Sequence, residues 1–102
     1  MLIEELEAKM FKALAHPVRL RVVKELMTEG VCVCDLKSSF QLRQSNLSQH
    51  LKILKDAGIV TVQREGLKVC YKLENPEVLK LIDIVDIAIA DGIDKVHKQL
   101  SI

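Results

Sequence analysis

The hydrophobic period of the chain changes after Gly58, and this change restricts the fold more than any other feature of the sequence. Before Gly58, Leu47, Leu51 and Leu54 recur at the spacing of one helix face. After it, apolar and polar residues alternate in IVTVQR and in KVCYKL, with the turn pair Glu65–Gly66 between them. We therefore predict a helix that ends at Gly58, followed directly by a β-hairpin.

Helical spacing of apolar residues predicts four further helices. The first covers residues 3–14, and the second begins at Pro17, a residue suited to the first helical position, and ends before Gly30. A short helix is expected at 34–40, and Pro76 opens a long one that runs to about residue 100. The 102 residues are therefore predicted to form a single domain, mainly α with a β-hairpin.

The long final helix carries an apolar stripe that a body of this size cannot cover. The stripe consists of Ile82, Val85, Ile89, Ile93, Val96 and Leu100. Because a small domain gains stability when a second copy covers such a face, we expect a homodimer through the terminal helices. Its interface is predicted to include Ile82, Val85, Ile89 and Ile93. The alternative is that the stripe packs only on its own domain.

The net charge of +1 conceals a basic middle third. Residues 37–72 carry seven basic and two acidic side chains, whereas the segments on either side are mildly acidic. Such a block is a candidate footprint for a phosphate backbone, although an ordinary solvated surface of lysine and arginine would have the same composition.

The order of elements, with a polar-faced helix before the hairpin, is that of a winged helix-turn-helix. A recognition helix needs one apolar stripe to dock and short polar side chains that reach base edges in the major groove. Lysine and arginine on the helix and on the hairpin, or wing, would bind phosphates. The predicted DNA-binding residues are Arg43, Gln44, Ser45, Asn46, Ser48, Gln49, His50, Lys52, Arg64 and Lys68.

The composition argues against a secreted or membrane protein. Three cysteines do not make a disulfide framework, and the acidic start of the chain lacks the features of a signal peptide. No apolar stretch reaches the length of a membrane span. We expect a cytoplasmic protein with double-stranded DNA as its partner, and no membrane.

Four segments together resemble the ArsR/SmtB family of ligand-responsive repressors: FKALAHPVRLRVVKEL, VCVCDL, QSNLSQHLKILKDAGIV and GLKVCYKL. The resemblance implies a homodimer on a palindromic operator, no enzymatic activity and no cofactor required for DNA binding. It also implies that a ligand releases the DNA. Arg43 departs from the family, which often has Ser at this helix cap; Arg cannot cap an exposed N–H and its charge opposes the helix dipole.

VCVCDL resembles the arsenic- and cadmium-sensing branch, in which this stretch supplies thiolates. The resemblance implies that Cys32 and Cys34 bind As(III) or another thiophilic ion such as Cd(II), Pb(II) or Cu(I) as inducer. The residues alone, without the resemblance, favour a role for the two cysteines as core filler. The branch's further ligand positions are not cysteines here, since Lys37 stands at one of them.

Cys70 is the remaining thiol, and alternation places it on the polar face of the wing. We do not expect it to reach Cys32 and Cys34 of its own protomer. It is a bystander, a redox site or a ligand across the dimer. Of the four positions in the family's zinc pattern on the last helix, only two carry side chains that can ligate, His97 and Asp86, which stands where the family has His; this argues against a zinc site there.

Two other functions remain open. The same scaffold could sense oxidants or reactive sulfur through Cys32 and Cys34. A thiol oxidoreductase is the remote alternative, because it would need a CxxC pair on a thioredoxin-like sheet, and neither the spacing nor the fold is predicted.

Overall fold

In the computed structural model, the described residues are 2–26, 31–32 and 44–100. They form, in chain order, α1 (Ile3–Leu14), α2 (Pro17–Glu25), β1 (Val31–Cys32), α3 (Gln44–Asp56), β2 (Val60–Glu65), β3 (Lys68–Leu73) and α4 (Glu77–Leu100). The helices predicted at 3–14, after Pro17, before Gly58 and after Pro76 are all present. The short helix predicted at 34–40 lies outside the described residues.

One apolar core joins all four helices and the hairpin. The leucines of the α3 stripe are fully buried, as predicted from their spacing. The buried residues of this cluster are Ala13, Leu14, Val22, Val23, Leu26, Leu47, Leu51, Leu54, Ile59, Val60, Val78 and Ile82. Removing this apolar surface from water is the main favourable term in folding, and it holds α3 in place against α1 and α2.

The ends of α2 and α3 follow from local chemistry. At the start of α2, the Nδ1 atom of His16 accepts a hydrogen bond from the Val18 N–H at 3.1 Å, and Pro17 occupies the first turn. At the end of α3, Gly58 has φ of 78° and donates its N–H to the Lys55 carbonyl at 2.9 Å. The Ile59 N–H reaches the Leu54 carbonyl at 3.0 Å, which completes a Schellman motif and turns the chain into β2.

The hairpin of β2 and β3 belongs to a three-stranded antiparallel sheet in the order β1-β3-β2, with β3 at its centre. Glu65 pairs with Lys68, so the two-residue turn is Gly66–Leu67, one residue later than predicted. Gly66 has φ of 61°, the conformation that a tight hairpin turn of this length requires at its first position. β1 was not predicted; it pairs Val31 with Tyr71.

The last helix extends away from the core. Only Val78 and Ile82 of α4 are buried, although its 24 residues span about 36 Å. The radius of gyration is 16.3 Å, compared with about 13 Å for a compact chain of this length. None of the described helices is both long and apolar enough to cross a membrane.

Candidate nucleic-acid interface and cysteine-bearing sheet

α3 has one buried face and one exposed polar face. Leu47, Leu51 and Leu54 have no exposed surface. The exposed side chains on the helix include Asn46, Ser48, Gln49 and Lys52, all of them in the predicted DNA-binding set. The helix is therefore anchored along its length while short amide and hydroxyl groups remain available to base edges.

The remaining predicted DNA-binding residues of this region are placed differently. Gln44 and Ser45 belong to the first turn of α3 by their backbone, and Arg43 lies outside the described residues. His50 is half-buried and belongs to the contact between helices rather than to the exposed polar face. Its ring centroid lies 4.4 Å from that of His16, at an interplanar angle of 45°.

Arg19 joins three helices at this point, a role that no sequence pattern signalled. Its guanidinium donates to the carbonyls of Lys12 and Ala13 at the end of α1, at 3.2 and 2.6 Å. The Nη1 atom lies 3.2 Å from Nδ1 of His50 on α3. Because terminal helix carbonyls have no partner within the helix, Arg19 satisfies them and fixes α3 against α1 and α2.

Burial and neighbouring charges at this junction shift the pKa of His50. Burial lowers the pKa of His50 below its usual value of 6.5, and the charges of His16 and Arg19 lower it further. His50 is therefore neutral at pH 7. This leaves Nδ1 able to accept from Arg19, which has only donors.

The wing presents cations on both of its faces. Arg64 pairs with Val69 and is exposed, whereas Lys68 lies at the adjoining register position and is also exposed. Since successive residues of a strand alternate between faces, Arg64 and Lys68 point to opposite sides of the hairpin. The side chain at the turn, Leu67, is fully exposed. A cation is thus available whichever face of the wing meets a phosphate backbone.

The register of the sheet brings two cysteines together. Cys32 of β1 is the direct partner of Cys70 of β3, and Gln63 of β2 is the partner of Cys70 on its other side. Opposed residues share a face of an antiparallel sheet. The expectation that Cys70 does not reach Cys32 in its own protomer did not anticipate this pairing of β1 with β3, which makes the two backbone positions neighbours.

That shared face is not the one that packs on the core. Tyr71, the partner of Val31, packs against the buried cluster. Cys32 and Cys70 are each displaced from this pair by one residue, so their register places them on the opposite, polar face with Lys68 and Lys72. Cys70 is half-buried there. Cys34 lies outside the described residues.

The exposed apolar surface of α4 agrees with most of the predicted dimer stripe. Val85, Ile89 and Ile93 expose 49, 55 and 62% of their surface. Ile82 differs, because it is 8% exposed and belongs to the core of its own protomer. It therefore has little surface left to contribute to a dimer interface. At the other end of the chain, Leu2 and Ile3 are also exposed.

No set of three His, Cys, Asp or Glu side chains that could hold a metal ion occurs within the part of the chain described by the structure. Of the three cysteines, only the side chain of Cys70 belongs to that part.

Comparison with known proteins identifies related chains. A family model described as "Bacterial regulatory protein, arsR family" matches residues 16–62. The chain is 47% identical over 73 residues to the arsenical resistance operon repressor of Bacillus subtilis, covering 71% of this chain and 70% of that one. The crystal structure of Mycobacterium tuberculosis Rv0081 superposes with a TM-score of 0.81 at 32% identity, covering 93% of this chain and 96% of that one.

A solution structure from Mycobacterium bovis agrees in fold. It is described as a homodimeric winged helix-turn-helix DNA-binding domain and has a TM-score of 0.79 at 24% identity, covering 91% of this chain and 86% of that one. The predicted winged helix-turn-helix fold is therefore confirmed.

Proposed function

Because this chain belongs to the ArsR family of bacterial regulatory proteins, whose members are DNA-binding transcriptional regulators and not enzymes, we propose how it binds DNA and what releases it. The protein is a homodimeric cytoplasmic repressor. Its α3 helix reads double-stranded operator DNA, and As(III) or another thiophilic ion binds Cys32 and Cys34 and causes release.

The division of α3 into two faces is the observation that carries the DNA-binding part of the proposal. Its leucines are fully buried, and Asn46, Ser48 and Gln49 are exposed. Asparagine and glutamine can bond bidentately to adenine in the major groove. Lys52 on the helix and Arg64 on the wing supply charge for the phosphates on either side.

The exposed row of apolar side chains on α4, which is the part of the predicted stripe from Val85 to Leu100, supports the homodimer. Among the described residues, the apolar side chains from Val85 to Leu100 remain about half or more exposed, and soluble monomers rarely expose large contiguous apolar patches. A second copy of α4, with the exposed start of α1 beside it, would bury them. A two-fold dimer would present two α3 helices to half-sites about one DNA turn, or about 34 Å, apart.

Two observations support a thiol-based inducer site. The backbone register pairs Cys32 of β1 with Cys70 of β3, so two cysteine positions are neighbours in the sheet. The Bacillus subtilis relative is named as an arsenical resistance repressor. Thiolate sulfur is the ligand type that soft metal ions prefer.

Fluorescence anisotropy of the reduced protein on a labelled fragment of its own upstream DNA tests the proposal. We expect binding that weakens steeply with salt, and release on addition of sodium arsenite or Cd(II), with Zn(II) much less effective. Release by sodium polysulfide alone, with loss of thiols and no effect of metal, would favour the redox sensor instead. Absence of binding at every salt concentration would contradict a DNA-binding role.

A further inference from the structure

We propose that a groove between α1 and α3 binds a small organic anion with an apolar body, of the aromatic carboxylate class, and that this anion weakens operator binding. The groove contains no cysteine, so it is a second ligand site, separate from the proposed thiol site. The binding step stands by itself, whereas the effect on DNA rests on the proposed role of α3.

Three helices form the groove, which has a volume of about 450 Å³. Sites for small molecules have volumes of about 300–1,000 Å³ and combine apolar walls with a few polar groups. The side chains used in the argument below come from α1, α2 and α3, in that order: Glu5, Lys9 and Lys12; Arg19; Ile53, Asp56 and Ala57. The groove therefore has the size and the mixed lining of a ligand site.

The charges around the groove favour a single negative charge on the ligand. Lys9, Lys12 and Arg19 outnumber the two carboxylates, Glu5 and Asp56. An anion would gain from the three cations, whereas a second negative charge would meet the repulsion of the two carboxylates. The lining therefore suits a monovalent carboxylate better than a doubly charged phosphate ester.

Arg19 has N–H groups left to bind such a carboxylate. Its guanidinium uses one N–H on each nitrogen, for the carbonyls of Ala13 and Lys12 and for Nδ1 of His50. Within the described part of the chain, one N–H on each of Nη1 and Nη2 is left over. A carboxylate can accept from both at once, which is the strong bidentate geometry of arginine.

The apolar part of the groove lies on α3. Ile53 is 41% exposed although it is a large aliphatic side chain, and Ala57 beside it is half-buried. An apolar ligand body placed against Ile53 would remove this surface from water. The groove therefore offers charge on α1 and α2 and apolar contact on α3, which matches an anion with an apolar body.

The groove adjoins the face of α3 proposed to read DNA. Ile53 follows Gln49 by four residues and Asn46 by seven, so the three side chains share one face of the helix. An anion against Ile53 would bring negative charge beside the operator phosphates and occupy space next to the base-reading side chains. By linkage, a ligand that opposes DNA in this way weakens operator binding, and DNA weakens ligand binding equally.

The proposed dimer does not require the surface of this groove. Glu5, Lys9 and Lys12 recur at spacings of four and three residues, which places them on one face of α1. Ile3, at the exposed start of α1, lies on the other side of the helix.

Methyl NMR with sodium 1-naphthoate as the probe tests the binding step without reference to DNA. The reduced full chain, labelled with carbon-13 in its isoleucine and alanine methyl groups, is titrated at neutral pH. The uncharged 1-naphthamide and the cationic 1-naphthylmethylamine have the same ring system and serve as charge controls. Signals of Ile53 and Ala57 report the groove, and the signal of Ile93 on α4 reports binding elsewhere.

We expect 1-naphthoate to shift the Ile53 and Ala57 signals but not that of Ile93, with a dissociation constant of about 1 mM, the scale for a ligand of this size. The amide and the amine should bind about threefold or more weakly, since each partly exposed ion pair contributes little by itself. No shift at Ile53, or equal or tighter binding of the amide or the amine, would overturn the proposal.

Charge reversal tests the assignment of the cations. Lys9→Glu/Lys12→Glu should remove 1-naphthoate binding, because attraction becomes repulsion at two exposed positions. Lys80→Glu/Lys95→Glu is the matched control, with the same change in net charge at two exposed positions of α4, and should bind as the wild type does. Circular dichroism confirms that both are folded. Unchanged binding by Lys9→Glu/Lys12→Glu would overturn the site.

Operator anisotropy tests the second step. At a saturating concentration of 1-naphthoate and equal ionic strength, the dissociation constant for the operator should rise about fivefold or more, the lower end of common coupling between two ligands. The Cys32→Ser/Cys34→Ser variant should respond as the wild type does, even if arsenite proves not to be an inducer. Unchanged operator affinity with the groove occupied would show that the ligand does not regulate DNA binding.

Discussion

Arg19 and His50 connect α2 to the helix proposed to read DNA: Nη1 of Arg19 lies 3.2 Å from Nδ1 of His50. Because arginine only donates, His50 must accept, which requires a neutral ring with its proton on Nε2. Arg19 also bonds the last carbonyls of α1. The orientation of α3 thus depends on a histidine that must stay unprotonated.

This arrangement predicts a loss of stability in mild acid. The pKa of His50 is lowered in the folded state by burial, His16 and Arg19, so the unfolded chain binds more protons near pH 6.5. The contribution of His50 to the free energy of unfolding is complete above pH 6.5 and is lost as pH falls through the lower folded pKa. Urea denaturation of wild type and His50→Asn at pH 7.5 and pH 5.5 checks this. Equal pH dependence in the two proteins would contradict it.

Substitutions on the exposed face of α3 should affect operator affinity, whereas substitutions on its buried face should affect stability. Gln49→Ala should weaken operator binding by about 1–3 kcal/mol, because a bidentate contact to a base is lost. Its free energy of unfolding should change by no more than about 0.5 kcal/mol, because Gln49 is exposed. The matched variant Leu51→Ala should lower the free energy of unfolding by about 2–5 kcal/mol. Chemical denaturation and anisotropy measure both, and unchanged operator affinity of Gln49→Ala would count against base contact.

If the cationic side chains of the wing bind phosphates, they should contribute to the salt dependence of DNA binding. Each phosphate contact contributes about 0.9 to the slope of log K against log salt concentration. Of Arg64→Ala and Lys68→Ala, the variant on the face that meets the backbone should lower the magnitude of that slope by about 1.8, since the dimer loses one contact from each protomer. Lys95→Ala, an exposed lysine on α4, serves as the control and should leave the slope unchanged. Slopes equal to wild type in both wing variants would show that the wing does not meet the backbone.

The exposed row on α4 predicts that a charge at its centre separates the dimer. Ile89→Glu should give a folded monomer, because a buried carboxylate without a partner is costly in an apolar interface. Lys95→Glu, away from the row, should remain dimeric. Sedimentation equilibrium measures the mass, and circular dichroism confirms folding. A dimeric Ile89→Glu protein would place the interface elsewhere.

The left-handed backbone conformation of Gly58 predicts that any side chain at this position lowers the free energy of unfolding. Its φ of 78° is a left-handed conformation, so Gly58→Ala should lower the free energy of unfolding by about 1–2 kcal/mol. Gly92, inside α4, has open space where a Cβ would lie, and Gly92→Ala should be neutral or stabilising by up to about 1 kcal/mol. Thermal denaturation compares the two, and a neutral Gly58→Ala would contradict the strain.

The periodicity of apolar residues in the sequence predicted those features that depend on a single helix or strand. The stripe of Leu47, Leu51 and Leu54 indicated the buried face of α3, and alternation indicated both strands of the wing. These patterns succeed because the period of burial follows the geometry of a single element. The observed turn lies one residue later than the predicted one, because Glu65 pairs with Lys68 in the β-ladder and is not part of the turn.

Long-range pairing explains what could not be predicted. β1 has two residues, too few to show alternation, and exists as a strand only through its pairing with β3. The opposition of Cys32 and Cys70 follows from that pairing, so it has no local signal. Likewise, the apolar spacing of α4 does not show where the protomer's own core ends, so the burial of Ile82 in that core had no signal in the sequence.

The most direct test of the central claim compares two reduced proteins on the same operator fragment. Wild type and Cys32→Ser/Cys34→Ser are bound to labelled upstream DNA, and anisotropy is followed as sodium arsenite is added. We predict that both bind DNA without arsenite and that only the wild type is released. Release of the double variant at the same arsenite concentration would show that the thiols of Cys32 and Cys34 are not the inducer site.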